Sequence, residues 1–264
     1  IKMKHDSLNI SQNGSVLEVI LDRPPANAID TKTSRSMGKV FESYRDNPNQ
    51  RCAIISGSGT KFFSAGWDLK AAANGKTKAN DDFGVGGFGG LQELPNLNKP
   101  VIAAVNGMAV GGGVELMLSA DIIVVSKHSK FALPEIKAGT LADAATIKLP
   151  RRIPYHIAMD LLFTGRWLGA EEAKHWGLVN EIAPADQLMT RAREIAELLS
   201  NGPPLVYAAI KDVLRSTENV SEQEAFQLLH AKKVQALNVL YASEDHDEGP
   251  RAFAEKRSPK WKGK

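Results

Sequence analysis

Four short apolar segments, SVLEVILD (15–22), CAIIS (52–56), PVIAAV (100–105) and DIIVVS (121–126), recur along the first half of the chain, separated by turn and helix signals. The first alternates apolar and polar residues like a half-buried strand, and the others are apolar almost throughout. Between the first two, Met37, Val40, Phe41 and Tyr44 recur at helical spacing after the capping candidates Asp30 and Thr31. This strand–helix order predicts an α/β layer fold with parallel, buried strands. From about Tyr155 onward helical patterns dominate: IAMDLLF, GAEEAKHWG closed by Gly177, DQLMTRAREIAELLSNG and SEQEAFQLLHAKKVQALNVLYA. The last third is therefore predicted to be mostly helical. The stretch NGKTKANDDFGVGGFGG (74–90), rich in glycine and polar residues, offers little to bury and predicts a mobile loop.

Composition narrows the partners. At 264 residues and 43% hydrophobic, the chain has material for one large domain, or one domain with a helical appendage. A net charge of +3, from 33 Lys and Arg against 30 Asp and Glu, argues against DNA or another polyanion as main partner and leaves room for a small anionic ligand. The single cysteine, Cys52, allows no internal disulfide, which suits a reducing, cytoplasmic compartment. The opening IKMKHDS lacks the apolar core of a signal peptide. The longest apolar region, Pro100 to Val125, carries Asn106, Glu115, Asp121 and four glycines, so it reads as protein core and not as a membrane span.

Several catalytic patterns fail. Gly84, Gly86 and Gly89 spell GxGxxG but follow Asp81, Asp82 and Phe83 instead of a strand, a poor setting for a dinucleotide site. The six histidines are scattered, with no metal-ligand cluster, and no GxSxG elbow occurs. Carboxylates and turns coincide in three places. In GGGVEL the glycines at 111 to 113 allow close backbone approach and open a helix whose first N–H groups lack internal partners, so they could stabilise an oxyanion. Glu115, three residues after Gly112, would project from the same helix side. The residues allow equally that the glycines only pack helix against strand and that Glu115 is a solvated first-turn residue. FALPEIKAG places Glu135 after Pro134 at a loop edge, where a carboxyl can face a cleft or plain water. FFSAGWDLK runs from a strand through Ala65-Gly66-Trp67 into a helix start at Asp68, which could offer a second oxyanion donor or be an ordinary connection.

Together these segments resemble the crotonase family of enoyl-CoA hydratases and isomerases over nearly the whole chain. LDRPPANAID (21–30) is similar to the family's LxRPxxxNA segment, FSAGWDLK to its AGxDLK turn, GGGVEL to its GGGxEL helix start and FALPEIKAG to its PExxxG segment. FTGRWLGAEEAKHWGLVNEI and SEDHDEGPRAFAEKRSPKWKG resemble its late signatures. The PANAID start, Trp67 in its turn and the ending EGPRAFAEKRSPKWKG narrow the resemblance toward the carnitinyl-CoA dehydratase branch.

The resemblance implies an α/β, crotonase-like ββα spiral core over residues 3–200 and a helical C-terminal trimerisation region over 201–264. It implies a hydro-lyase acting on an enoyl-CoA thioester, crotonobetainyl-CoA and carnitinyl-CoA being the favoured pair, without a cofactor other than the coenzyme A of the substrate. The backbone N–H groups of Trp67 and Gly112 would hold the thioester oxygen, with Glu115 as base toward water and protonated Glu135 as acid toward the α-carbon. CoA would lie along Ala26, Ala65, Gly66, Asp68, Leu69 and Lys70, with Lys256 and Lys260 as further candidates for its phosphates. The implied assembly is a homotrimer or a dimer of trimers, without DNA or membrane as partner. One departure stands out: most members carry a Gly-Gly turn after the second glutamate, whereas this chain reads AGTLADAATIKLP (138–150), one residue short. That alters the loop beside the site and leaves open whether Asp143 enters the pocket. Two rivals follow, a general enoyl-CoA hydratase or isomerase and a catalytically silent CoA- or RNA-binding member.

Overall fold

The computed structural model describes residues 2–5 (main chain only), 7–78 and 80–264. Its strands are β1 (Lys2–His5), β2 (Leu8–Asn13), β3 (Val16–Leu21), β4 (Cys52–Gly57), β5 (Phe62–Ser64), β6 (Val101–Val105), β7 (Met108–Val110), β8 (Ile122–Ser126), β9 (Lys130–Ala132), β10 (Leu168–Gly169) and β11 (Glu181–Ala183). The four apolar segments become β3, β4, β6 and β8, which lie side by side and parallel in a sheet ordered β1-β2-β3-β4-β6-β8-β11. Every residue of β4 and β6 is buried because both faces are covered. Ala53, Ile55, Ala103 and Val105 enter the main core. Ile54, Ile102 and Ala104, one pleat over, pack with Leu188, Ala192 and Ala196 of the helix Leu188–Ser200.

A second sheet, ordered β10-β9-β7-β5, sits beside the first. The chain visits both in a spiral: β4 then β5 then the helix Leu69–Ala73, β6 then β7 then the helix Gly112–Met117, β8 then β9 then the helix Glu135–Ala138. Because β7 pairs in parallel with both β5 and β9, the carboxyl ends of the three small strands lie together. All three short helices therefore begin along one edge, the place where parallel sheets put ligands.

The expected helix after Asp30 runs from Thr31 to Asp46, with the Asp30 carboxylate accepting the Thr33 N–H at 2.8 Å. It buries Met37, Phe41 and Tyr44. The C-terminal third is mostly helical as expected, with additions: β10 and β11 interrupt it, and the helix Pro204–Thr217 begins directly at a proline pair. The SEQEAF segment divides into Glu222–His230 and Gln235–Tyr241 around Lys232, whose φ is 55°.

Residues 74–90 correct an expectation. Ala79 lies outside the described residues, but the glycines that follow it are packed, not loose. A Cβ at Gly90 would lie 2.2 Å from the Gly38 nitrogen and one at Gly86 would lie 2.0 Å from the Gly90 oxygen. Small size is what lets this segment close onto the helix Thr31–Asp46, where Ser34 Oγ accepts the Gly89 N–H at 3.0 Å. Glycine counts suggested too little to bury, whereas here backbone itself is the buried material. No helix among the described residues is long and apolar enough to cross a membrane.

Candidate active site

The turn after β5 is fixed from behind. Ala65 N–H donates to the Ala26 carbonyl at 2.9 Å, and Ser64 Oγ donates to the Asn27 carbonyl at 2.7 Å while accepting the Gly66 N–H at 3.0 Å. Ile29 bridges Trp67 in parallel: Ile29 N–H donates to the Gly66 carbonyl at 2.7 Å and Asp68 N–H to the Ile29 carbonyl at 2.9 Å. Bonding on that side uses residues 66 and 68, so the Trp67 N–H points the other way, and it meets no acceptor among the described residues. Asp68 caps the helix Leu69–Ala73 by accepting the Ala71 N–H at 2.9 Å and pairs with Arg23 at 2.7 Å.

The neighbouring turn after β7 depends on glycine. Gly111 adopts φ 54°, ψ −123° and donates its N–H to the Ala132 carbonyl of β9 at 2.8 Å, tying the second and third turns together. Helix Gly112–Met117 starts at once, leaving the Gly112 N–H without an acceptor among the described residues. The first and second turns touch: a Cβ at Gly66 would lie 2.7 Å from the Gly112 nitrogen, and one at Gly113 would lie 2.3 Å from the Ser64 oxygen. Both readings of GGGVEL are thus realised on different glycines. Gly113 is a packing residue, and Gly112 lines a cavity with its N–H uncommitted.

Glu115 is buried, 7% exposed, one turn into that helix. Its Oε1 accepts the Ala145 N–H at 3.0 Å from the first turn of the helix Asp143–Lys148. Burial raises its pKa above the ordinary glutamate value; the Ala145 bond works against that and the charge of Asp143 adds to it. Glu135 opens the helix Glu135–Ala138, with Oε1 so close to Gly111 that a Cβ there would sit 2.3 Å away. Its Oε2 is buried without a hydrogen-bond partner among the described residues. Burial, and then the charge of Glu115, push its pKa up to about 7. The two carboxyls face one space in unlike settings: Glu115 is held by an N–H that favours its charged form, while Glu135 has an unsatisfied oxygen that favours protonation.

That space is a cavity of about 480 Å³. It joins Ala65, Trp67, Leu69, Gly112, Glu115 and Glu135, all anticipated from the sequence, and Asp143 lies at its wall. Ala26, Gly66 and Asp68 sit behind the turn as its supports, and Lys70, Lys256 and Lys260 are outside the lining. The sequence reading missed Phe83, Phe88, Gln92 and Glu93, which also line it. Their signal was the glycine run at 84–90, whose close packing carries Phe88 across Gly112; a Cβ at Gly112 would meet Phe88 Cε1 at 2.3 Å. The arrangement can hold an oxyanion between two backbone donors and move protons with two carboxyls on the atoms beside it.

The family model for enoyl-CoA hydratase/isomerase matches residues 11–264. A carnitinyl-CoA dehydratase of Proteus mirabilis (strain HI4320) is 51% identical over 259 residues, covering 98% of this chain and 99% of that protein. One of Escherichia coli (strain K12) is 52% identical over 260 residues with the same coverage of 98% and 99%. The crystal structure of an enoyl-CoA hydratase from Mycobacterium tuberculosis H37Rv superposes with a TM-score of 0.88 at 35% identity, covering 98% of this chain and 100% of that one.

Proposed function

The chain belongs to the enoyl-CoA hydratase/isomerase family, and on that footing we propose that it is a hydro-lyase adding or removing water across the α,β-double bond of an enoyl-CoA thioester. The carnitinyl-CoA dehydratases that match it end to end support carnitinyl-CoA and its dehydration product crotonobetainyl-CoA as the substrate pair. The observation that carries the reading is the pair Glu115 and Glu135 on one cavity, one bonded by a backbone N–H and the other with its pKa raised to about 7.

In hydration, the thioester oxygen accepts the N–H groups of Trp67 and Gly112, which stabilise the enolate-like charge as it develops. Glu115, as carboxylate, takes a proton from water while the oxygen attacks the β-carbon. Glu135, as carboxylic acid, gives its proton to the α-carbon. Dehydration reverses both transfers: Glu135 removes the α-proton and protonated Glu115 releases the hydroxyl as water. The charge balances without a cofactor beyond the CoA of the substrate. CoA leaves the cavity past the first turn, with the Ala65 carbonyl toward its adenine, Leu69 and Lys70 along it, and Ala26, Gly66 and Asp68 fixing the turn. Self-association as a trimer or dimer of trimers is supported by apolar side chains left exposed on the C-terminal helices, among them Phe226, Tyr241 and Phe253, the last 87% exposed.

Incubation of the purified chain with crotonobetainyl-CoA and with crotonyl-CoA tests this. Loss of the conjugated thioester with gain of one water in the product is expected. A product of unchanged mass with a shifted double bond, or CoA-thioester binding without turnover, overturns it.

A further inference from the structure

Among the described residues, five charged side chains line the cavity: Glu93, Glu115, Glu135, Asp143 and Lys137. Glu115 and Glu135 carry the proposed chemistry, Asp143 starts the helix that holds Glu115, and Lys137 Nζ donates to the Gly165 carbonyl at 3.3 Å. Glu93 has no such employment among the described residues. Its main chain is anchored by its N–H to the Gly86 carbonyl at 3.0 Å, and its carboxylate lies over Gly87, where a Cβ would be 2.3 Å from Oε1. Gly87, at φ 67°, thus leaves open the place the carboxylate occupies. Its charge reaches Lys148, but that half-buried side chain donates to the Gln92 carbonyl at 3.2 Å and Ser119 Oγ at 2.9 Å, making no contact ion pair with Glu93.

An aromatic ring lies against the oxyanion turn in the same cavity lining as this carboxylate. Phe88 follows Gly87 directly and lies against Gly112, with Phe83 meeting it edge-on, ring centroids 5.5 Å apart at 80°. An acyl chain whose carbonyl sits at Gly112 therefore has a path open along Phe88 that can end at Glu93, an exposed side chain of the same cavity lining. A neutral chain gains nothing from a carboxylate at the end of that path. A cation gains both the charge and the adjoining ring.

We infer that Glu93 is a specificity-determining residue that selects acyl groups carrying a positive charge near the γ-carbon, such as a quaternary ammonium. This rests on the hydro-lyase reading of the same cavity and adds the residue that reads the acyl group.

The test compares crotonobetainyl-CoA with its neutral carbon isostere, 5,5-dimethylhex-2-enoyl-CoA, which has the same shape without the charge. The wild-type chain is expected to favour the cation in kcat/KM by about fivefold, the scale of one solvent-accessible ion pair, mostly through KM and less at high salt. Glu93→Gln brings the ratio to about one and Glu93→Lys inverts it. The readout is a ratio within each variant, so a general loss of rate does not imitate the effect. A wild-type enzyme indifferent to the charge, or a preference that survives both substitutions, overturns the assignment of Glu93 while leaving the hydro-lyase reading intact. A wild-type chain inert toward both thioesters overturns the hydro-lyase reading itself.

Discussion

The Ala145 N–H donates to Glu115 Oε1 at 3.0 Å, so the helix Asp143–Lys148 is capped from another helix. Its own N-cap, Ala142, offers no side-chain acceptor. One carboxylate thereby closes a helix end and faces the reacting atoms. Substitution separates the two roles. Glu115→Gln keeps an acceptor for Ala145, whereas Glu115→Ala removes it, and Ala should be less stable than Gln by about 1 kcal/mol in urea unfolding. Both variants should be inactive. Equal stability of the two would show that the bond contributes nothing to the fold.

The pH profile should be the same in both reaction directions. Each direction needs one proton shared between Glu115 and Glu135, and water addition exchanges no net proton with solvent, so kcat/KM for hydration and for dehydration should fall together as pH rises through about 7. Stability follows from the same shift. A carboxyl whose folded pKa is raised contributes stability at low pH that is lost as pH rises through about 7. Glu135→Gln should therefore melt higher than wild type above roughly pH 8, with the advantage vanishing toward acid. Scanning calorimetry across pH checks the second claim and initial rates in both directions check the first.

Gly111→Ala should be damaging out of proportion to one methyl group. The residue sits at φ 54°, ψ −123°, and the new Cβ would meet Glu135 Oε1 at 2.3 Å. Backbone strain should cost about 1–3 kcal/mol, and displacement of the acid should lower kcat by at least about 100-fold. Rates within twofold of wild type would mean that Glu135 does not need its place beside Gly111.

Asp68→Ala should loosen the first oxyanion turn without touching substrate. It removes the cap on Ala71 and the Arg23 pair, for a loss of about 1–2 kcal/mol in denaturant unfolding. Asp68→Asn, which still caps, should recover most of it. An unchanged midpoint for Asp68→Ala would show that Ile29 and Ala26 hold the turn unaided.

Much of this is legible in the residues. The strands β3, β4, β6 and β8 follow from apolar runs because burial on both faces leaves a simple composition. The helix Thr31–Asp46 follows from its cap and spacing. Glu115 cannot be decided from GGGVEL alone, since the same glycines serve close packing at Gly113 and an open N–H at Gly112, and only tertiary neighbours separate the two. Residues 74–90 mislead because glycine-rich sequence carries no periodicity, and with them Phe88 and Glu93 escape notice. Strands β10 and β11 are two and three residues long, too short to leave a pattern. Asp143 stands out in the sequence only as part of the shortened loop, and its place at the cavity wall depends on the helix that Glu115 caps.

The most direct test of the central claim is single-turnover hydration of crotonobetainyl-CoA by the wild-type chain and by Glu115→Gln and Glu135→Gln. Each variant should still bind the thioester but hydrate it at least about 100-fold more slowly. Wild-type turnover in either variant would contradict the division of acid and base between these two carboxyls.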